Sequence, residues 1–244
     1  MKDNLKLLLS DEFQLCSFIT VRFPTIGFIG EVIGEERYFS YIKTICSTPS
    51  QFKVALFDNG IDYSGLSDWE FFIMMCHEIF NEKSSDITEA VFGDFNLMNY
   101  VLDQDINTGA LVLTDGNNVF TEVQYMLLTQ LLREIYEIEY VSDPPGNEHF
   151  KEYAIEKERR KMKRRKRQPF KSTLAPAIIA LVNSADFKYD YDTVLDLNIY
   201  RFYRSLKQLK RNKNYDQIMA GVYAGTVDNG KLNMQKIYWI EYPG

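Results

Sequence analysis

The sequence predicts a mainly α-helical chain with a small β-hairpin (α+β), arranged as two helical domains joined by a basic helical connector. Three observations carry that prediction. Two capping-box patterns, Ser67 with Glu70 and Thr121 with Gln124, each open a run of apolar residues at helical spacing. The turn Asp115-Gly116-Asn117-Asn118 separates two short β-prone runs. Residues 149–167 hold neither Pro nor Gly and are rich in Glu, Lys and Arg, all strong helix formers.

Taken in order, residues 1–20 read as a short amphipathic lead-in, and Pro24, Gly27, Gly30 and Gly34 punctuate the next stretch. From Glu35 a helix places Tyr38, Tyr41, Ile42 and Ile45 on one face, and Thr48-Pro49 stops it. Phe52, Val54 and Leu56 suit a strand or a short helix ahead of the turn Asp58-Asn59-Gly60. The helix capped by Ser67 carries Phe71, Phe72, Met74, Met75 and Ile79, so it is expected at the centre of the first core. Residues 84–105 read as a loop with short ordered pieces.

Residues 111–113 and 119–120 form the expected two-stranded hairpin. Leu127, Leu128, Leu131, Leu132, Ile135 and Tyr136 then stripe a helix that ends before Pro144-Pro145-Gly146. The domain boundary is placed there: a first domain over 1–145, the connector over 146–170, and a small helical domain over 171–244. In the connector, acids come early and bases late, the order a helix dipole prefers, and Pro169 ends the run. An apolar helix follows at TLAPAIIALVNSA. One or two further helices bury Val194, Leu197, Tyr200, Phe202 or Tyr203, and Leu206, with Tyr238 and Trp239 capping a C-terminal core.

Charge is polarised along the chain. Residues 1–150 hold 8 bases and 24 acids, whereas residues 151–244 hold 20 and 10, which together give the net charge of −6. The stretch 157–171, KERRKMKRRKRQPFK, packs ten cations around the single carboxylate of Glu158. Three roles suit it: a solvated face, a surface for an acidic protein (including the acidic half of a neighbouring copy), or a phosphate-binding site. Without interleaved aromatics the run looks electrostatic and not base-reading, and nucleic acid is not the expected partner.

Candidate chemistry is sparse. His77 and His149 have no partner at metal-ligand spacing, and His77, within an apolar helix, reads as a hydrogen-bonded core or rim residue. Cys16, Cys46 and Cys76 share no CxxC spacing and read as buried free thiols of a reducing compartment. The glycines at 27, 30 and 34 match no phosphate-binding fingerprint. The expectation is a non-enzyme with no catalytic residue, no metal and no cofactor. The opening MKDNLKLLLSDEFQ lacks an apolar leader core, and no apolar run approaches the roughly 20 residues that span a bilayer, so a cytoplasmic protein is expected.

Two stretches, GEERYFSYIKTICSTPSQFKVALFDNGIDYSGLSDWEFFIMM and VLDLNIYRFYRSLKQLKRNKNYDQIMAGVYAGTVDNGKLNMQKIYWIEYPG, resemble the tail assembly chaperones of tailed phages infecting Gram-positive bacteria. The carrying features are the DLNIYRFYRSLKQLKR segment, the Gly221-Val222-Tyr223-Ala224-Gly225 element after it, and the lysine-rich linker before both. The hairpin at 111–120 departs from the family pattern. The resemblance implies a protein of the host cytoplasm that coats the long helical tape-measure protein before the tail tube polymerises. Its partners would be the tape-measure protein, the tail tube protein and further copies of itself, with no membrane. Residues expected to touch partners are Arg160, Lys161, Arg164, Arg165 and Arg167, with Tyr200, Tyr203, Tyr223 and Trp239 as fold-defining or docking positions. Met74, Met75, Met98 and Met126 would line adaptable apolar grooves. The alternatives are a structural virion component of the neck, tail completion or baseplate, and a nucleic-acid-binding accessory protein.

Overall fold

A computed structural model of the chain describes residues 4–143, 148–165 and 168–240. It is mainly helical with two small antiparallel sheets, as the patterning predicted. The N-terminal lead-in is more ordered than expected. A short helix α1 (Asn4–Leu9) is followed by a hairpin of β1 (Glu12–Cys16) and β2 (Ile19–Arg22), with a bulge between Gln14 and Cys16. Its apolar alternation is only two positions long on β2, Ile19 and Val21, which buries both but leaves little signal in the sequence.

Helix α2 (Glu35–Ile45) buries Tyr38, Tyr41, Ile42 and Ile45, the face that its spacing predicted. The segment left open between strand and helix is a helix, α3 (Lys53–Asp58). Helix α4 (Asp68–Ile79) starts at the Ser67/Glu70 capping box, in which each side chain satisfies the other residue's backbone N–H. The stretch 84–105, expected as a loop with short ordered pieces, contains α5 (Ser85–Phe92) and β3 (Val101–Gln104). Two tertiary ties explain α5: the Arg37 guanidinium donates to both Asp86 oxygens at 2.6 and 2.7 Å, and the hydroxyls of Thr88 and Tyr41 meet at 2.8 Å. Strand β3 adds to β4 (Leu111–Thr114) and β5 (Val119–Phe120), turning the expected hairpin into a three-stranded sheet.

Helix α6 (Glu122–Tyr136) crosses the middle of the molecule with Leu128, Leu131, Leu132 and Ile135 wholly buried. Four rings from three elements, α4, β5 and α6 itself, interlock there. Trp69 stacks on Phe72 at 5.9 Å, Phe72 lies 4.5 Å from Tyr125, and Phe120 completes the group. Each such ring contributes about 1.5–3 kcal/mol by leaving water.

After α7 (Glu148–Arg165) and α8 (Leu174–Val182), a single 25-residue helix α9 (Ile199–Tyr223) takes the place of the one or two expected. Its first turns belong to the same core as the N-terminal half: Ile199, Tyr200 and Phe202 are buried in one cluster with Phe23, Tyr38 and Tyr136. Backbone bonds tie the two together, from the Ile26 N–H to the Leu197 carbonyl and from the Ile199 N–H to the Pro24 carbonyl, both at 2.9 Å. Residues from both sides of the boundary expected at 145 therefore share one core; residues 144–147 themselves lie outside the described chain.

Candidate partner-binding surfaces

The basic connector is one helix, α7, docked by its first half and free at its last turns. Ile155 drops into a small cluster with Val54, Leu56, Tyr63 and Phe71. Cations on that side are consumed by acids of the body: Lys151 pairs with Asp62 at 2.6 Å, and Arg159 with Asp58. The hydrogen bond from Lys151, reinforced by the Ser64 hydroxyl and amide, holds the Asp62 pKa down at about 2. Lys53, nearly buried on α3, pairs with Asp143 at 2.7 Å and lowers its pKa likewise.

Beyond that anchor every residue from Arg160 to Arg165 is exposed. Lys161 and Arg165 share Glu158, each at 3.4 Å. Arg160, Lys163 and Arg164 make no ion pair among the described residues. The connector's expected contact residues are thus presented to solvent at Arg160, Lys161, Arg164 and Arg165; Arg167 lies outside the described residues.

The four aromatic positions divide. Tyr200 is wholly buried against Phe23, with the Arg204 guanidinium over its ring, and Tyr203 packs edge-on to Phe39 and Phe202. Both hold the fold and offer little to a partner, because the i, i+3 spacing places them on the inner face of α9. Tyr223 is 83% exposed and Trp239 is 44% exposed, so these two remain open to docking.

No residue after Leu209 is buried among the described residues, so Tyr238 and Trp239 do not cap a C-terminal core. Instead the outer turns of α9 carry a half-buried row of Tyr215, Ile218, Met219 and Val222, covered among the described residues by the returning segment that ends in α10 (Met234–Ile237) and Ile240. The Gly-x-Tyr-x-Gly element makes the reversal. Gly225 sits at φ +73, the left-handed position past the helix end that glycine favours. A Cβ on Gly221 would come within 2.7 Å of Val227, and the Gly221 carbonyl accepts from Thr226 and Val227. The return is pinned by the Gln208 amide donating to the Trp239 carbonyl at 2.6 Å and by Tyr215 against Tyr238.

Other expected features are scattered. Met74, Met98 and Met126 are exposed on three separate elements and Met75 packs between the two apolar clusters, so they do not gather into one groove. His77 is exposed, not set in the core, and lines an open groove of about 1210 Å³ between α2 and the α4–α5 turn. Cys46 and Cys76 are buried free thiols whose pKa burial pushes up to about 12, whereas Cys16 is only half-buried.

One contact that joins distant parts of the fold had no motif in the sequence. The Glu35 carboxylate, at the start of α2, caps α8 from across the fold, accepting from the Thr173 amide at 2.6 Å, the Leu174 amide at 3.0 Å and the hydroxyls of Ser172 and Thr173. Burial alone would raise its pKa; these hydrogen bonds outweigh it and the net shift is downward. Only the Ser172-Thr173 pair ahead of an apolar helix hinted that a cap was needed there.

Compared with known proteins, residues 163–242 match a family model described as the YomV second domain, a phage-derived (Bacillus prophage) family. The C-terminal part of the chain, from the free end of α7 through the returning segment, is therefore similar to a phage-associated domain. No curated protein and no solved structure shows a significant match to the chain. Among the described residues, no helix is long and apolar enough to cross a membrane.

Proposed function

We propose that this chain is a non-enzymatic phage assembly protein, a tail assembly chaperone that holds the tape-measure protein in the host cytoplasm until the tail tube polymerises around it. One observation carries the reading. The arm formed by residues 208–240 has an apolar row that is half covered, flanked by exposed Tyr223, Met234 and Trp239. A long amphipathic helix laid along that row would complete its burial, the helix-in-groove mode of recognition. The outer part of α9, residues 210–223, extends ~20 Å at 1.5 Å per residue, enough for about four turns of a client helix. The phage-derived character of the matched domain supports the setting, and the segment resemblance supports the client.

The test is co-expression with the tape-measure protein of the same phage. The chain is expected to co-purify with it and to be missing from finished particles by mass spectrometry. Recovery of the chain in particles at the copy number of a tail component would assign it to the virion structure instead. Failure of the tape-measure protein to co-purify with it would remove the client.

A further inference from the structure

The groove of about 1210 Å³ between α2 and the α4–α5 turn is lined by the carboxylates of Glu36, Glu78 and Glu82, by the buried Tyr41, Ile79 and Ile87, and at one border by Phe170 from the segment that follows α7. The three carboxylates are exposed and make no ion pair among the described residues. The other strong charges of the wall are largely engaged: Arg37 by Asp86, and Glu35 by the start of α8. Lys83 is the remaining cation on the rim, so the free charge of the groove is negative.

The complementary surface is in the same molecule and unused by it. Arg160, Lys163 and Arg164 crown the last turns of α7, within helical reach of one another. Ile155, Lys151 and Arg159 clamp the helix behind them, so those turns form a fixed peg.

We propose that the α7 peg of one copy docks in the Glu36–Glu78–Glu82 groove of a second copy, so that copies add head to tail. Peg and groove are different patches, so each contact leaves one free peg and one free groove, and copies keep adding until the rotation per copy closes a ring or, where it does not close, as an open filament. Its attraction is between partly solvated charges, which salt screens over a Debye length of about 8 Å at physiological ionic strength.

The experiment uses the full chain and two charge-reversed variants, R160E/R164E for the peg and E78K/E82K for the groove, with the neutral pairs R160Q/R164Q and E78Q/E82Q as milder versions. All four positions are exposed, and circular dichroism checks that each variant folds. Sedimentation velocity of the unaltered chain in about 50 mM salt is expected to show species that grow with concentration and disperse near about 0.5 M salt. Each reversed variant alone should stay monomeric. Mixed in equal amounts, the two should assemble again, because the native peg meets the native groove and the reversed peg meets the reversed groove. A monomeric unaltered chain at low salt overturns the proposal, as does a variant that assembles like it or a mixture that stays monomeric. Assembly abolished by nuclease would hand the cations to nucleic acid and overturn it too.

Discussion

Around Phe72 the rings of Trp69, Phe120 and Tyr125 are packed face and edge, and none has appreciable contact with water. Thirteen or more residues beyond Phe202 on α9, Tyr215, Ile218, Met219 and Val222 are set at the same helical spacing yet remain half exposed. Composition does not separate the two regions, since both are built from aromatic and aliphatic residues. What separates them is the number of elements that converge. At Phe72, α4, α6 and the three-stranded sheet close over the rings. On the outer turns of α9 the cover among the described residues is one returning stretch of chain. A helix face with a single thin cover keeps free energy in reserve for a partner, and that is the physical basis for assigning stability to the body and recognition to the arm.

The contrast can be broken most forcefully at the body's centre. Phe72→Ala is expected to lose about 3–5 kcal/mol of folding stability, the cost of a large cavity where the surroundings cannot collapse. Urea unfolding measures it, and a loss below about 1 kcal/mol would mean the ring cluster is not the keystone of the body.

A smaller effect is expected at the joint between the regions. Glu35→Gln should cost about 1–2 kcal/mol by weakening the cap on α8. The Glu35 pKa is lowered in the folded chain, below its ordinary 4.5. Its contribution is therefore complete above the unfolded pKa and is lost as pH falls through the folded one. Unfolding midpoints measured from neutral pH down through this acid range should converge for the two proteins as the carboxylate protonates. Parallel curves, with the same gap at every pH, would show that the cap does not titrate with folding.

The smallest stability effect belongs to the arm. Trp239→Ala is expected to change folding stability by no more than about 0.5 kcal/mol, because its side chain is 44% exposed and only its carbonyl is held by Gln208. The same substitution should reduce capture of the tape-measure protein by about tenfold or more, as loss of a central aromatic contact does. A Trp239→Ala protein that unfolds readily while still capturing the client would reverse the assignment of roles.

Features encoded within a few residues were legible in the sequence. The Ser67/Glu70 and Thr121/Gln124 boxes marked two helix starts, and the Tyr38, Tyr41, Ile42, Ile45 spacing gave the buried face of α2. What was missed depends on distant partners. Helix α5 is eight residues long with three β-branched residues in it, Ile87, Thr88 and Val91, and Arg37 and Tyr41 hold it from another helix. The sheet position of β3 exists only through its pairing with β4. Tyr200, Tyr203, Tyr223 and Trp239 could each be fold-defining or docking by sequence, although Tyr200 and Tyr203 also fell in the expected buried stripe; burial separates them. The acidic groove draws its walls from α2, α4 and the turn before α5, so no single stretch announces it.

Hydrogen exchange on the full chain, alone and with the tape-measure protein added, tests the division between body and arm most directly. In the free chain, amides of residues 210–223 and 234–237 are predicted to exchange far faster than those of α6. On addition of the client they should slow while α6 stays unchanged. Arm amides protected as strongly as α6 in the free chain, or indifferent to the client, would contradict that division.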